Sequence, residues 1–61
     1  MKVTIIYCFK GITIRLDEKV FISHNSSAEL YELCNYIISI QETYRECEYD
    51  GKRLITFNVN I

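Results

Sequence analysis

The chain has no proline and no tryptophan, one histidine, and two glycines in 61 residues. Each shortage removes a class of chemistry. Gly11 and Gly51 are 40 residues apart and cannot build a glycine-rich loop that cradles phosphates. The lone His24 sits in the polar run "SHNSS" and gives no nucleophile an adjacent base. Cys34 is ten residues further on, about 15 Å away along a helix. The cysteines, at 8, 34 and 47, are odd in number and far apart. That spacing fits neither a zinc site nor a Cys-x-x-Cys pair. They read instead as small apolar residues kept reduced, as in an intracellular protein. The opening "MKVTIIYCF" is too short an apolar run for a signal peptide, and no stretch approaches the ~18 apolar residues of a membrane span. Glu29 with Glu32, and Glu42 with Glu46, share a solvated helix face without an apolar pocket to raise a carboxyl pKa. The expectation is a cytoplasmic, non-enzymatic protein with no cofactor, metal or membrane association.

Charge is scarce in sum and uneven in place. The net charge is −1, whereas a general polyanion binder is more basic. Lys2, Lys10, Arg15 and Lys19 outweigh Asp17 and Glu18 in the first 24 residues. Residues 25 to 51 carry six acids against Arg45 alone. At 49% apolar residues the chain is no disordered tail, yet a domain of this size is marginal by itself and gains from a partner chain.

What is present is pattern. A two-residue turn at Lys10-Gly11 sets Phe9 opposite Ile12, Tyr7 opposite Ile14 and Ile5 opposite Leu16, with Val3 continuing the apolar row. The other face then holds Ile6, Cys8, Thr13 and Arg15. A three-residue turn at "DEK" brings Val20 opposite Leu16 and Ile22 opposite Ile14, and sends Phe21 to the outer face beside Arg15 and Ile6. The first 23 residues therefore read as a three-stranded meander.

The segment "HNSSAELYELCNYIISIQETY" reads as a helix capped by Ser26, with Glu29 completing a capping box. Leu30, Leu33, Cys34, Ile37, Gln41 and Tyr44 form its apolar stripe, widened by Ile40. Tyr31 and Ile38 fall off that stripe as exposed flank neighbours. Asp50-Gly51 signals a hairpin that sets Glu48 opposite Arg53 and Cys47 opposite Leu54. Residues 53 to 60 read as a strand, with Ile55, Phe57, Val59 and Ile61 on one side. Residues 46 to 49 read as a short strand or the frayed helix end.

The fold class is α+β: a single domain over residues 1–61, two layers, β-β-β-α-β, with one helix on one face of an antiparallel sheet. The expected core is Val3, Ile5, Tyr7, Phe9, Ile12, Ile14, Leu16, Val20, Ile22, Leu30, Leu33, Cys34, Ile37, Phe57 and Val59, and the last strand is expected beside the first. One helix cannot cover both sheet faces, so Ile6, Cys8, Arg15 and Phe21, with Tyr31 and Ile38, are the expected protein-binding residues. Self-association as a homodimer through the outer face or the final strand's edge is the companion expectation. Ten isoleucines, five tyrosines and no proline suggest an AT-rich coding sequence. A short chain of this kind is similar in type to the accessory proteins of bacteriophages and mobile elements, which bind and block host proteins, defence proteins among them. The alternative is a small nucleic-acid-binding regulator, with Phe21 among Lys2, Arg15 and Lys19 on the open sheet.

Overall fold

The computed structural model describes residues 1–60. They form β1 (Lys2–Cys8), β2 (Gly11–Leu16), β3 (Lys19–Asn25), α1 (Ala28–Ser39), β4 (Arg45–Tyr49) and β5 (Lys52–Asn58). One antiparallel sheet takes the order β3-β2-β1-β5-β4, with α1 packed on one face. The α+β class and the pairing of the last strand with the first are as the pattern implies. A second C-terminal strand, β4, extends the expected β-β-β-α-β order to β-β-β-α-β-β. Ile61, expected on the inner side, lies outside the described residues.

The first hairpin turns one residue earlier than the Lys10-Gly11 placement. Cys8 faces Gly11, Tyr7 faces Ile12, Ile5 faces Ile14 and Val3 faces Leu16. The register moves by two, so every side chain keeps its face. Phe9 leaves the core for the hairpin tip, where it is 94% exposed and Lys10 Nζ lies 5.7 Å from its ring centroid. The cause is Gly11. Its φ of +118° follows two turn residues with negative φ, the arrangement of a turn closed by a glycine bulge. A Cβ here would also lie 2.7 Å from the Asn25 carbonyl oxygen. The glycine is needed where β2 passes the end of β3, inside the strand and not at the turn's tip.

The second turn is two residues, Asp17-Glu18, with Asp17 at φ +57° and its Oδ1 accepting from the Lys2 amide at 3.0 Å. Lys19 faces Leu16, Val20 faces Arg15 and Ile22 faces Ile14, so Phe21 is an extra residue on the bulged strand. The bulge turns Phe21 to the helix side, against its expected outer placement, and leaves Val20 exposed on the outer face. A second irregularity at Ser23-His24, with His24 at φ +53°, lets Asn25 face Ile12. Two interruptions make β3 a poor template for further pairing.

The helix begins one residue later than its Ser26 placement. Ser27 is the N-cap: its Oγ accepts from the Leu30 amide at 3.3 Å and donates to Glu29 Oε2 at 2.8 Å, while its own amide donates to Asn25 Oδ1 at 2.8 Å. Ser27→Ala removes all of its hydroxyl contacts and is expected to cost about 1 kcal/mol, seen as a lower thermal midpoint. The same hydroxyl, followed by a backbone hydrogen bond, holds the Glu29 carboxyl below its ordinary value. A depressed carboxyl stabilises the fold above its unfolded-state pKa, and that stabilisation is lost as pH falls through the folded value.

Residues 40 to 44 are not helical, contrary to the long stripe. Ile40 caps the C-terminus, and Gln41 Nε2 donates to the Ile37 carbonyl at 2.9 Å. The chain then enters β4, whose pairing with β5 outcompetes helix propagation. Tyr49 faces Lys52, Glu48 faces Arg53 and Cys47 faces Leu54, the register implied by Asp50-Gly51. Both turn residues have positive φ, +52° and +76°, as a type I′ turn requires.

The core comprises Val3, Ile5, Ile12, Cys34, Ile38, Ile55 and Phe57, flanked by Tyr7, Ile14, Leu16, Leu30, Tyr31, Ile37 and Val59. Ile38 and Tyr31 therefore pack inward, not outward, and Leu33 is 52% exposed. Burial is complete at Ile5, Ile12, Cys34 and Ile55 and only partial at Ile14 and Leu16, so the helix covers the β5 side of the sheet more fully than the turn end of β2 and β3. Tyr31 rests 6.0 Å from Tyr7, ring centre to ring centre, and the Tyr7 hydroxyl donates to Asn35 Oδ1 at 3.3 Å.

Candidate protein-binding surface

No helix is long and apolar enough to cross a membrane, and the described residues hold no group of three His, Cys, Asp or Glu placed to bind a metal. The sheet separates His24 from Cys34, whereas Cys8 shares the outer face with His24. His24 opens onto the outer face, whereas Cys34 is buried beneath the helix. Burial also pushes the Cys34 thiol up, away from the reactive thiolate.

The outer face is built by strand alternation. From β1 it takes Lys2, Thr4, Ile6 and Cys8, and from β2 Thr13 and Arg15. Lys52, Leu54 and Thr56 arrive from β5, and Arg45, Cys47 and Tyr49 from β4. Ile6 lies between Thr13 and Leu54, and Leu54 between Ile6 and Cys47. The centre is thus apolar and hydroxylic. Lys2, Arg15, Arg45 and Lys52 surround it; none of the strand residues alternating onto this face is a carboxylate, and Asp17, in the turn opposite Lys2, lies at its edge with Oδ1 accepting from the Lys2 amide. Glu46 and Glu48 point to the helix side, where Glu46 Oε1 holds Arg53 Nη2 at 3.0 Å and the Arg53 guanidinium sits 5.5 Å from the Tyr7 ring centre.

One part of this face is concave. Ile6, Cys8, Phe9, Thr13, Val20 and His24 line a hollow of about 330 Å³, with Lys10, Arg15 and Lys52 at its walls. Cys8 Sγ lies 3.2 Å from the Gly11 carbonyl oxygen, which orients the thiol along the strand ends. The His24 amide donates to Thr13 Oγ1 at 3.4 Å, fixing the hollow's β3 wall.

Of the six residues singled out by sequence, the structure gathers Ile6, Cys8 and Arg15 on this face. Phe21 lies on the opposite face, at the edge of an apolar groove beside the helix. Tyr31 is half-buried against Tyr7, and Ile38 is a core residue. The surface also uses Leu54, Lys52 and Arg45, which sequence reasoning passed over. The alternation that put Ile55 and Phe57 inside already placed Leu54 and Thr56 outside. Reading residues 45 to 49 as one strand would have added Arg45 and Cys47.

Compared with known protein families, curated proteins and solved structures, the chain matches none.

Proposed function

We propose that this chain is a small non-catalytic protein-binding module whose outer sheet face holds an acidic surface of a partner protein and occludes it. The observation that carries the reading is the composition of that face: an apolar centre around Ile6 and Leu54, with Lys2, Lys10, Arg15, Arg45 and Lys52 outnumbering Asp17 at its edge. An apolar centre with a charged periphery is the anatomy of a protein interface. Complementary charge steers the encounter and sets the register of docking. Action by occlusion suits a host-protein inhibitor of the kind the composition suggests.

The nucleic-acid reading draws on the same cations. Yet its expected aromatic, Phe21, and its third cation, Lys19, are on the other face by register. Tyr49 stands at the far edge on β4, and the rings nearer the centre, Phe9 and His24, lie at the rim of the hollow on a hairpin tip and a strand end, not in a row along the sheet. Acids on the helix and turns also reduce the long-range field felt by a polyanion.

The test titrates the protein with a peptide alternating glutamate and leucine, and separately with a single-stranded oligonucleotide of equal length. The peptide is expected to bind more tightly. Reversing Arg15 and Lys52 together to glutamate is expected to weaken it about 10-fold or more without changing the circular dichroism spectrum. Tighter binding of the oligonucleotide, with affinity falling steeply as salt rises, would replace this reading with the nucleic-acid one. Binding of neither probe would overturn it.

A further inference from the structure

The helix side carries a second uncovered surface, unlike the first. Because α1 covers the β5 side of the sheet more fully, a groove remains between the helix and the β2–β3 edge. It has a volume of about 270 Å³ and is lined by apolar side chains, among them Leu16, Ile22, Leu30, Leu33 and Ile37. Phe21, 67% exposed, stands on its β3 rim because the bulge adds it to the side that Ile22 already occupies. Leu33, Tyr36 and Ile40 continue the apolar strip along the exposed helix flank. Hollow and projecting ring belong to the same face of one molecule.

Both ends of the groove carry charged side chains, and the Lys19 end also holds Asp17 and Glu18 in the adjoining turn. Two residues separate the end of β3 from the helix, and Tyr31 rests on Tyr7 at that end of the sheet. Glu29, one turn before Leu33 on the same flank, marks this end. Lys19 marks the other, opposite Leu16 at the start of β3. A two-fold axis crossing the groove at its middle exchanges the ends, so Lys19 of each copy meets Glu29 of the other.

We propose that the helix-side groove is the interface of a two-fold homodimer, in which Phe21 of each chain fills the groove of the other and Lys19 pairs with the partner's Glu29. Aromatic side chains seated in desolvated pockets dominate such interfaces. The dimer leaves both outer faces free, so it stands or falls separately from the partner-binding reading.

Light scattering coupled to size exclusion at tens of micromolar reads the result. The unmodified chain is expected to run as a dimer. Phe21→Glu is expected to raise the dissociation constant at least about 30-fold while keeping the native circular dichroism. Arg15→Glu, on the other face, is expected to leave the dimer intact. Two exposed variants then test the geometry: Lys19→Glu and Glu29→Lys should each weaken self-association, and mixing the two should restore a dimer with one chain of each. A monomeric unmodified chain would overturn the proposal, as would a dimer that tolerates Phe21→Glu. A mixture of the charge variants no tighter than either alone would overturn the Lys19–Glu29 pairing and the axis it defines.

Discussion

Gly11→Ala is expected to leave most of the protein unfolded at room temperature. The added Cβ would lie 2.7 Å from the Asn25 carbonyl oxygen, 2.8 Å from the Asn25 carbonyl carbon and 3.1 Å from the Ser26 nitrogen. All are backbone atoms, and they belong to the short link between β3 and the N-cap Ser27. They cannot withdraw as a flexible side chain would. The φ of +118° adds strain that any L residue feels. Strain of about 1–3 kcal/mol and overpacking of a similar size together approach the roughly 3–9 kcal/mol total stability of so small a domain. Gly51→Ala is the control. Its φ is +76°, but nothing lies within 4 Å of the new Cβ, so the expected cost is about 1–2 kcal/mol. Urea melts followed by circular dichroism separate the two. Equal midpoints for the variants would remove the close approach at Asn25 from the account.

Ile55→Ala is the second large effect. Ile55 is fully buried on β5, opposite Ile5 on β1 and Glu46 on β4, where the helix presses on the sheet. Removing three carbons there loses transfer free energy and leaves a cavity, a cost of about 2–5 kcal/mol. The surroundings have little room to collapse, because Ile5, Ile12 and Cys34 are equally buried. Phe9→Ala, at the exposed hairpin tip, is expected to change stability by less than ~0.5 kcal/mol. A larger loss at Phe9 than at Ile55 would restore the turn at Lys10-Gly11 and contradict the register seen here.

Faces were more legible than registers. Alternation alone placed Val3, Ile5, Ile12 and Phe57 inside and Ile6, Cys8 and Arg15 outside, and a two-residue slip in the first hairpin left those assignments intact. Asp50-Gly51 fixed its hairpin outright, because both positions need positive φ and both residues accept it. Phe21 was not legible. A bulge changes which face a side chain takes, and nothing in "KVFIS" announces one. The helix stripe was ambiguous for a related reason. Leu30, Cys34 and Ile37 are common to two faces, one completed by Leu33 and the other by Tyr31 and Ile38. Only the position of β5 beside β1 selects between them. The end of the helix was hidden too, since residues 40 to 44 suit a helix until β4 is recruited by β5. The candidate surface inherits this division: its β1 and β2 residues were readable, and its β4 and β5 residues depended on a strand that sequence left undecided.

Partner recognition is proposed to belong to the outer sheet face. Methyl resonances test it most directly, because methyl groups report one face of a sheet while backbone amides report both. The protein is titrated with the alternating glutamate–leucine peptide and the isoleucine, leucine and valine methyls are followed by carbon–proton correlation. Ile6, Val20 and Leu54 are expected to shift together, while Ile5, Ile12 and Ile55 beneath the helix stay fixed. Shifts confined to Leu33, Ile37 and Ile40, with Ile6 and Leu54 unmoved, would contradict it and assign recognition to the helix side.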